Sequence, residues 1–370
     1  MKAMVAINPK FKHKIKYTNL GSTKFGETTI NFGLVDLPKP KFDNKSKDNS
    51  NFVLVKINAI SCNFRDKGIL LDNYEKLIAS DQLYLPFGSE FSGIVVDYGT
   101  NVNCFSINQR VIPDCSYPKE NNNIRPGIPT NFASLGWLRI HKDKLLNAPR
   151  ELTDSEAACF PLGVQTAHSM IRRSNILQSP DPKPLIFSAK SATSLFIIKE
   201  LLAHGIKPTC LSTSKWNQKE LKSILGSEVR NDYSCFEKDH TFFTHVFDPF
   251  FDVNIEKAVN LLSIYGTYIT CGLNSQHPSL SNSKLDELEC NLRSSILGAI
   301  VKDISIIGNC LGIKSDLEEP IAMLESKIDL KPILDSEYSL SDGLKFIEKS
   351  FFDSSKFGKC VLRYDTSYDT

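Results

Sequence analysis

Ten cysteines are the first residues to test for chemistry in this 370-residue chain: Cys62, Cys104, Cys115, Cys159, Cys210, Cys235, Cys271, Cys290, Cys310 and Cys360. Thiols at CxxC spacing would hold a metal or exchange electrons, but these are scattered and form no such pair. With no export signal in view they read as reduced, mostly buried thiols. Two other runs combine hydroxyls with a single ammonium, Ser188-Ala-Lys190-Ser191-Ala-Thr-Ser194 and Ser212-Thr213-Ser214-Lys215. Such donors suit anionic oxygens.

Two kinds of pattern must position these runs. From about 25 to 150 the chain reads as β-rich. Phe52-Val-Leu-Val-Lys-Ile-Asn-Ala-Ile60 alternates with period two, Phe91 to Gly99 ends in a glycine turn, and Gln109 to Ile112 is a third strand. Pro113 to Thr130, with its Pro, Asn and Gly, reads as a loop. From about 151 short apolar strands alternate with helices. One helix is expected from the capping residues after Leu152 through Arg173, then strands at Pro184–Ser188, Lys207–Ser212, His245–Asp248 and Gly266–Gly272, with helices at Leu195–His204, Asn217–Leu225 and Ile255–Leu262. That alternation predicts a doubly wound parallel sheet. After about 320 come a helix and a last strand, Lys359–Arg363. The expected class is therefore α/β: a β-rich domain (1–150 and 320–370) with a Rossmann-like domain (151–319) inserted.

Composition narrows the function classes. Lys+Arg minus Asp+Glu is 44 − 42, or +2, with apolar residues at 41% and charged residues at 23%. That excludes a disordered chain and offers no basic footprint for nucleic acid. No window approaches ~18 uninterrupted apolar residues, so no membrane span is expected. The opening Met1 to Tyr17 has too short an apolar stretch for a signal peptide, which predicts a cytoplasmic protein.

Six segments in order resemble the medium-chain dehydrogenase/reductase superfamily, nearest its zinc-free quinone oxidoreductase and enoyl reductase branch. Ser61-Cys-Asn-Phe-Arg-Asp66 is similar to "SxNYRD", Pro86 to Gly93 to "PGxExxGxV", and Gln109-Arg-Val111 to "GDRV". Glu156 to Ala167 is similar to "EAAxxPxxxxTA". Ser188 to Ser194 stands where the family carries "GxxGGxG", Val246-Phe-Asp-Pro249 resembles "VxDxVG", and Phe357 to Leu362 resembles "GKxVL". The resemblance covers nearly the whole chain and implies a GroES-like catalytic domain beside the Rossmann domain.

By that resemblance, zinc ligands would fall at Asn63, Ser89 and Leu162, none of which suits the metal, with Glu90 alone keeping a ligating side chain. A slipped site using Cys62 and Cys159 is the zinc-dependent alternative. The phosphate loop carries serine or alanine at each glycine position, so Ser188, Lys190, Ser191 and Ser194 become the implied phosphate contacts. At the end of the second Rossmann strand Ser212, Thr213, Ser214 and Lys215 replace the usual carboxylate, which implies NADPH rather than NADH. Cys271, Leu273, Asn309, Leu311 and Lys359 match further cofactor contacts, and Asn63 and Thr166 match residues flanking the nicotinamide.

The family tyrosine after Asn63 is Phe64 here, so a phenol donor is lost. Tyr74, Lys67 and Cys62 are alternative proton sources, as is solvent, and Arg65 with Asp66 is expected to form a structural pair. Phe64, Tyr84 and Trp137 are the implied substrate contacts. Without a Lewis acid, the chemistry left is reduction of a polarised C=C bond. Its substrate would be a small enone or quinone or a dehydroamino-acid-containing peptide; an enoyl thioester would want a basic path for coenzyme A, and the sequence offers none. The altered loop and Gly127 to Trp137 resemble the dehydrogenase-like enzymes that reduce dehydroalanine to D-alanine in lanthipeptide precursors. The resemblance also implies a homodimer. A cofactor-free binding or scaffold protein, or a zinc alcohol dehydrogenase, stand as the other classes.

Overall fold

The computed structural model describes residues 1–117, 126–238, 240–274 and 285–364. Of the expected loop Pro113–Thr130, residues 118–125 lie outside the described residues, as does the side chain expected as a buried thiol at Cys290. The chain divides into two units, Met1–Leu162 with Leu334–Thr370, and Gly163–Ile333.

The first unit opens with antiparallel strands that alternation did not reveal: β1 (Lys2–Ile7), β2 (Thr18–Phe25) and β3 (Thr28–Asp36). All of β1 but Lys2 is buried, so it shows no period of two. The expected strand at Phe52 is β4 (Phe52–Ser61), followed by a helix missed in the sequence, α1 (Phe64–Ile78). Asn63 stands at its N-cap, and its backbone N–H is held by the Asp66 carboxylate at 2.8 Å. Then come β5 (Tyr84–Leu85), β6 (Glu90–Tyr98), β7 (Arg110–Pro113), β8 (Trp137–His141) and β9 (Leu145–Asn147). β4 lies in the middle of the larger sheet, antiparallel to both β6 and β8.

The single helix expected from Leu152 to Arg173 is two, α2 (Asp154–Ala157) and α3 (Pro161–Ser174). Pro161 explains the break: a proline starts a helix readily but cannot continue one. α2 belongs to the first unit, since Asp154 accepts bonds from Arg110 and Asn58 and its carbonyl accepts one from Ser92. The first border therefore falls after Leu162 rather than at 150.

The second unit is βα alternation: β10 (Pro184–Ile186), α4 (Ala192–Ala203), β11 (Thr209–Leu211), α5 (Gln218–Ser223), β12 (Glu228–Arg230), α6 (Ser234–Lys238), β13 (Phe243–Asp248), α7 (Phe251–Leu261), β14 (Leu262–Thr270), α8 (Leu285–Val301), β15 (Ser305–Gly308) and α9 (Ser315–Glu325). The sheet runs β12-β11-β10-β13-β14-β15, parallel at every pairing. That is the 3-2-1-4-5-6 order of a dinucleotide-binding sheet, with the reversal between β10 and β13. Close packing of α3 on α4 requires Gly163, where a Cβ would come within 2.8 Å of the Phe196 ring. α9 packs in this unit through the Arg172–Asp316 ion pair, so the second border falls at 333 rather than 319. The chain then returns to the first unit with β16 (Leu334–Ser339), α10 (Gly343–Phe351) and β17 (Lys359–Arg363). β17 pairs with β4 and has the bounds expected from the sequence.

Among the described residues no helix is long and apolar enough to cross a membrane.

Candidate functional site

In the first unit strand register gathers a buried charge cluster. Ser61 at the end of β4 pairs with Glu90 at the start of β6 and with Val361 of β17. Lys359, at the start of β17, thereby reaches the residues that follow β4. Its ammonium lies 2.5 Å from Asn63 Oδ1, 3.0 Å from Glu90 Oε2, 3.2 Å from the Cys62 carbonyl and 3.4 Å from Ser61 Oγ. Glu90 Oε2 also accepts from Ser61 Oγ (2.8 Å) and Asn63 Nδ2 (3.0 Å), and Oε1 accepts the Leu162 N–H (2.8 Å). Lys359 is 3% exposed and Glu90 0%. Burial pulls the Lys359 pKa down, but the Glu90 carboxylate beside it outweighs burial and holds it above its ordinary value, so the ammonium stays charged. The Asn63 amide is thus oriented from both ends, oxygen to Lys359 and nitrogen to Glu90.

The zinc test has a structural answer. Of the implied ligand positions, Asn63 is engaged by the ion pair, Ser89 donates its hydroxyl to Asp66 (2.8 Å), and Leu162 contributes only a backbone N–H. Cys62 and Cys159 are both buried, and burial pushes both thiols up. Among the described residues no three His, Cys, Asp or Glu side chains are grouped to hold a metal. At these positions the side chains hold one another, and the Lys359 ammonium supplies the positive charge in their midst.

Arg65 pairs with Asp66 at 3.1 Å, as expected. Of the three side chains read as proton sources, burial raises the Cys62 and Tyr74 pKa values and lowers that of Lys67. Lys67 lies over the Phe64 ring at 5.8 Å and the Phe352 ring at 4.6 Å. The implied substrate contacts separate. Phe64 begins α1, whereas Tyr84 packs against the Ala3, Val5, Ile7 and Val35 cluster, and Trp137 sits on β8 opposite Lys56 with Lys39 over its ring.

In the second unit the implied cofactor residues lie at the carboxyl edge of the sheet. Ser188 follows β10 with φ +46, a left-handed conformation that glycine would adopt without strain. The other loop side chains turn inward. Ser191 caps α4 by accepting the Ser194 N–H (3.3 Å), and the Ser194 hydroxyl donates to the Phe187 carbonyl (3.0 Å). The Lys190 ammonium, expected on phosphate, instead meets Glu220 Oε2 at 2.9 Å and the Lys215 carbonyl at 2.7 Å. Burial explains the change: a lysine this enclosed needs a carboxylate partner. The amino end of α4 keeps its favourable dipole and the first-turn N–H groups that Ser191 does not cap.

After β11, Ser212 and Ser214 hydrogen-bond to each other at 3.2 Å, and Asn231 Nδ2 grips both their carbonyls. Thr213 and Lys215 are exposed. Cys271 follows β14; burial first, then the nearby Asp248 charge, pushes its thiol up to about 12. Leu273 is exposed beyond it. Asn309 follows β15 and is buried; its oxygen accepts from Ser169 and Arg173 and its nitrogen donates to the Leu311 carbonyl, where the chain turns with φ +55. Thr166 is buried on α3.

Sequence reading missed Glu220 and the group around His168. Glu220 had a signal, since Asn217 to Glu220 has capping-box spacing and forms one. His168 had none: its partners Glu200 and Glu319 lie far along the chain.

A GroES-like unit carrying an inserted Rossmann sheet is the fold of the medium-chain dehydrogenase/reductase superfamily. Residues 49–139 match the alcohol dehydrogenase GroES-like domain. The chain is 24% identical over 355 residues to a zinc-type alcohol dehydrogenase-like protein of Schizosaccharomyces pombe, covering 90% of this chain and 96% of that one. Among solved structures it is similar to an NAD-dependent alcohol dehydrogenase (TM-score 0.72, 18% identity, 95% of this chain and 100% of that one). It is also similar to the 2-octenoyl-CoA carboxylase reductase CinF in complex with NADP and 2-octenoyl-CoA (TM-score 0.69, 19% identity, 100% of this chain and 88% of that one).

Proposed function

We propose that the chain is a zinc-independent, NADPH-dependent reductase of an activated C=C bond. The observation that carries this reading is the Lys359–Glu90–Asn63 cluster: where a Lewis acid would stand, the chain places a lysine ammonium enclosed by oxygen acceptors. A plain alcohol has nothing there to stabilise its alkoxide, whereas an alkene polarised by a neighbouring carbonyl needs no metal. NADPH supplies a hydride when bound. The amino end of α4 suits its pyrophosphate and exposed Lys215 suits its 2′-phosphate. Asn63, with its amide orientation fixed, and Thr166 flank the nicotinamide in this reading, and Lys67, made more acidic by burial, or solvent provides the proton.

Dehydroalanine in a peptide, reduced to D-alanine, is the preferred specific substrate: its amide polarises the double bond. Incubation of a dehydroalanine peptide with NADPH and the protein should add two hydrogens per residue reduced, read by mass spectrometry. Turnover of small enones or quinones without that gain would favour a general reductase. The likeness to CinF supports a second reading, an enoyl thioester, which consumption of a short enoyl-CoA would reveal. A cytoplasmic homodimer completes the proposal: β15 closes one side of the sheet, and Ile264, Tyr265, Leu297, Ile300 and Val301 are exposed on the elements that adjoin it.

A further inference from the structure

Lys190 and Lys215 both stand in the runs of hydroxyl and ammonium groups, but their charges have different fates. The Lys190 side chain is about one-tenth exposed and paired with Glu220, itself buried. Its remaining donors reach the Lys215 carbonyl at 2.7 Å, and the ammonium lies 4.9 Å from the centre of the Trp216 ring. Glu220 is fixed in turn: its Oε2 accepts the Asn217 N–H (2.8 Å) and its own N–H donates to Asn217 Oδ1 (3.0 Å). From the other side Asn231 holds the Ser212 and Ser214 carbonyls. The main chain from Ser212 to Asn217 is therefore braced along its length, while the Lys215 side chain points free of these contacts into solvent.

Resting on the NADPH reading above, we propose that Lys190 is a positioning residue for cofactor choice: neutralised by Glu220, it binds no phosphate itself but clamps the Lys215 backbone so that the exposed ammonium is set to meet the 2′-phosphate. The clamp joins the phosphate loop after β10 to the specificity loop after β11, so one buried ion pair couples the two. It restrains a flexible lysine before the ligand arrives, which lowers the entropy lost on binding.

The test measures dissociation constants of NADPH and NADH by nicotinamide fluorescence. Lys190→Met alone would strand the Glu220 carboxylate, so the informative variant is Lys190→Met/Glu220→Gln, which removes both charges. It should lose about tenfold in NADPH affinity while NADH changes little. Added to Lys215→Ala, the same pair should cost no further preference, because the group being aimed is gone. Lys190→Arg, which keeps the charge, should keep most of the preference. Equal losses for both cofactors, or a loss fully additive with Lys215→Ala, would overturn the clamp. Binding of neither cofactor by the unaltered chain would instead remove the NADPH reading and this inference with it.

Discussion

Lys215 is exposed with its side chain outside the hydrogen bonds that brace its loop, so on the proposed NADPH reading its ammonium is open to the 2′-phosphate. Lys215→Ala should therefore weaken NADPH by about 1.5–3 kcal/mol, the usual range for a bond to a charged group, and leave NADH nearly unchanged. Titration with each cofactor checks it; equal weakening would show that Lys215 does not read the 2′-phosphate. Lys359 is the opposite case. Lys359→Met leaves the fully buried Glu90 carboxylate without its counter-charge and should cost about 3–5 kcal/mol in denaturant unfolding. Lys359→Met/Glu90→Gln should recover much of that loss, because the neutral amide needs no ion partner. Failure of the double variant to recover stability would mean that the lysine contributes chiefly by packing. Residue types alone could single out Asn63, Glu90 and Lys359 as members of motifs. They could not show that the three form one network, since that depends on β17 pairing with β4 nearly three hundred residues away.

At the scale of elements, α3, α4 and α9 are joined at His168. Its Nδ1 lies 2.7 Å from the wholly buried Glu200 and its Nε2 3.1 Å from Glu319, and Arg172 one turn on pairs with Asp316 of α9. Burial pulls the imidazole pKa down, but Glu200, then Glu319 and Asp316, more than reverse this and leave it raised. The protonated form is thus favoured by folding. Its stabilisation is fully present below the ordinary imidazole value of ~6.5 and is lost as pH rises through the folded value. A melting series from pH 5.5 to 8.5 should show stability declining through that window, and His168→Gln should flatten the decline. An unchanged slope in the variant would remove the linkage.

Elements also separate what pattern can and cannot reveal. The core strands β10, β13 and β17 were found because each is a short apolar run with clear punctuation. β1 was missed because burial of nearly all its residues erases alternation. α1 was missed although Asn63 and Asp66 had the spacing of a helix start. The inward turn of Lys190, Ser191 and Ser194 was beyond reach, since a lysine beside serines reads the same whether its partner is a phosphate or a glutamate.

For the whole molecule, the exposed apolar residues beside β15 bear on assembly. Leu297→Glu with Ile300→Glu places charge on that surface and should convert the proposed dimer to a monomer, read as a halved mass in light scattering. A wild-type monomer would remove the dimer, and a variant that stays dimeric would move the interface elsewhere. The division into units was visible in the sequence as a change from alternating strands to strand–helix repeats. Its borders were not, because α2 and α9 look like members of either neighbour until Asp154 and Asp316 find their partners.

The first unit is interrupted in sequence, and that has a consequence for how the chain is made. Glu90 emerges from the ribosome long before Lys359, and at about 5–20 residues per second the wait is on the order of ten to sixty seconds. During that time the second unit, which is continuous, has all its strands and can close. The first unit cannot bury Glu90 against its counter-ion until the last strand arrives. Translation therefore leaves an unfinished sheet, with the end of β4 at Ala59–Ser61 open where β17 will dock, and the closing strand carries the charge that lets the cluster become dry.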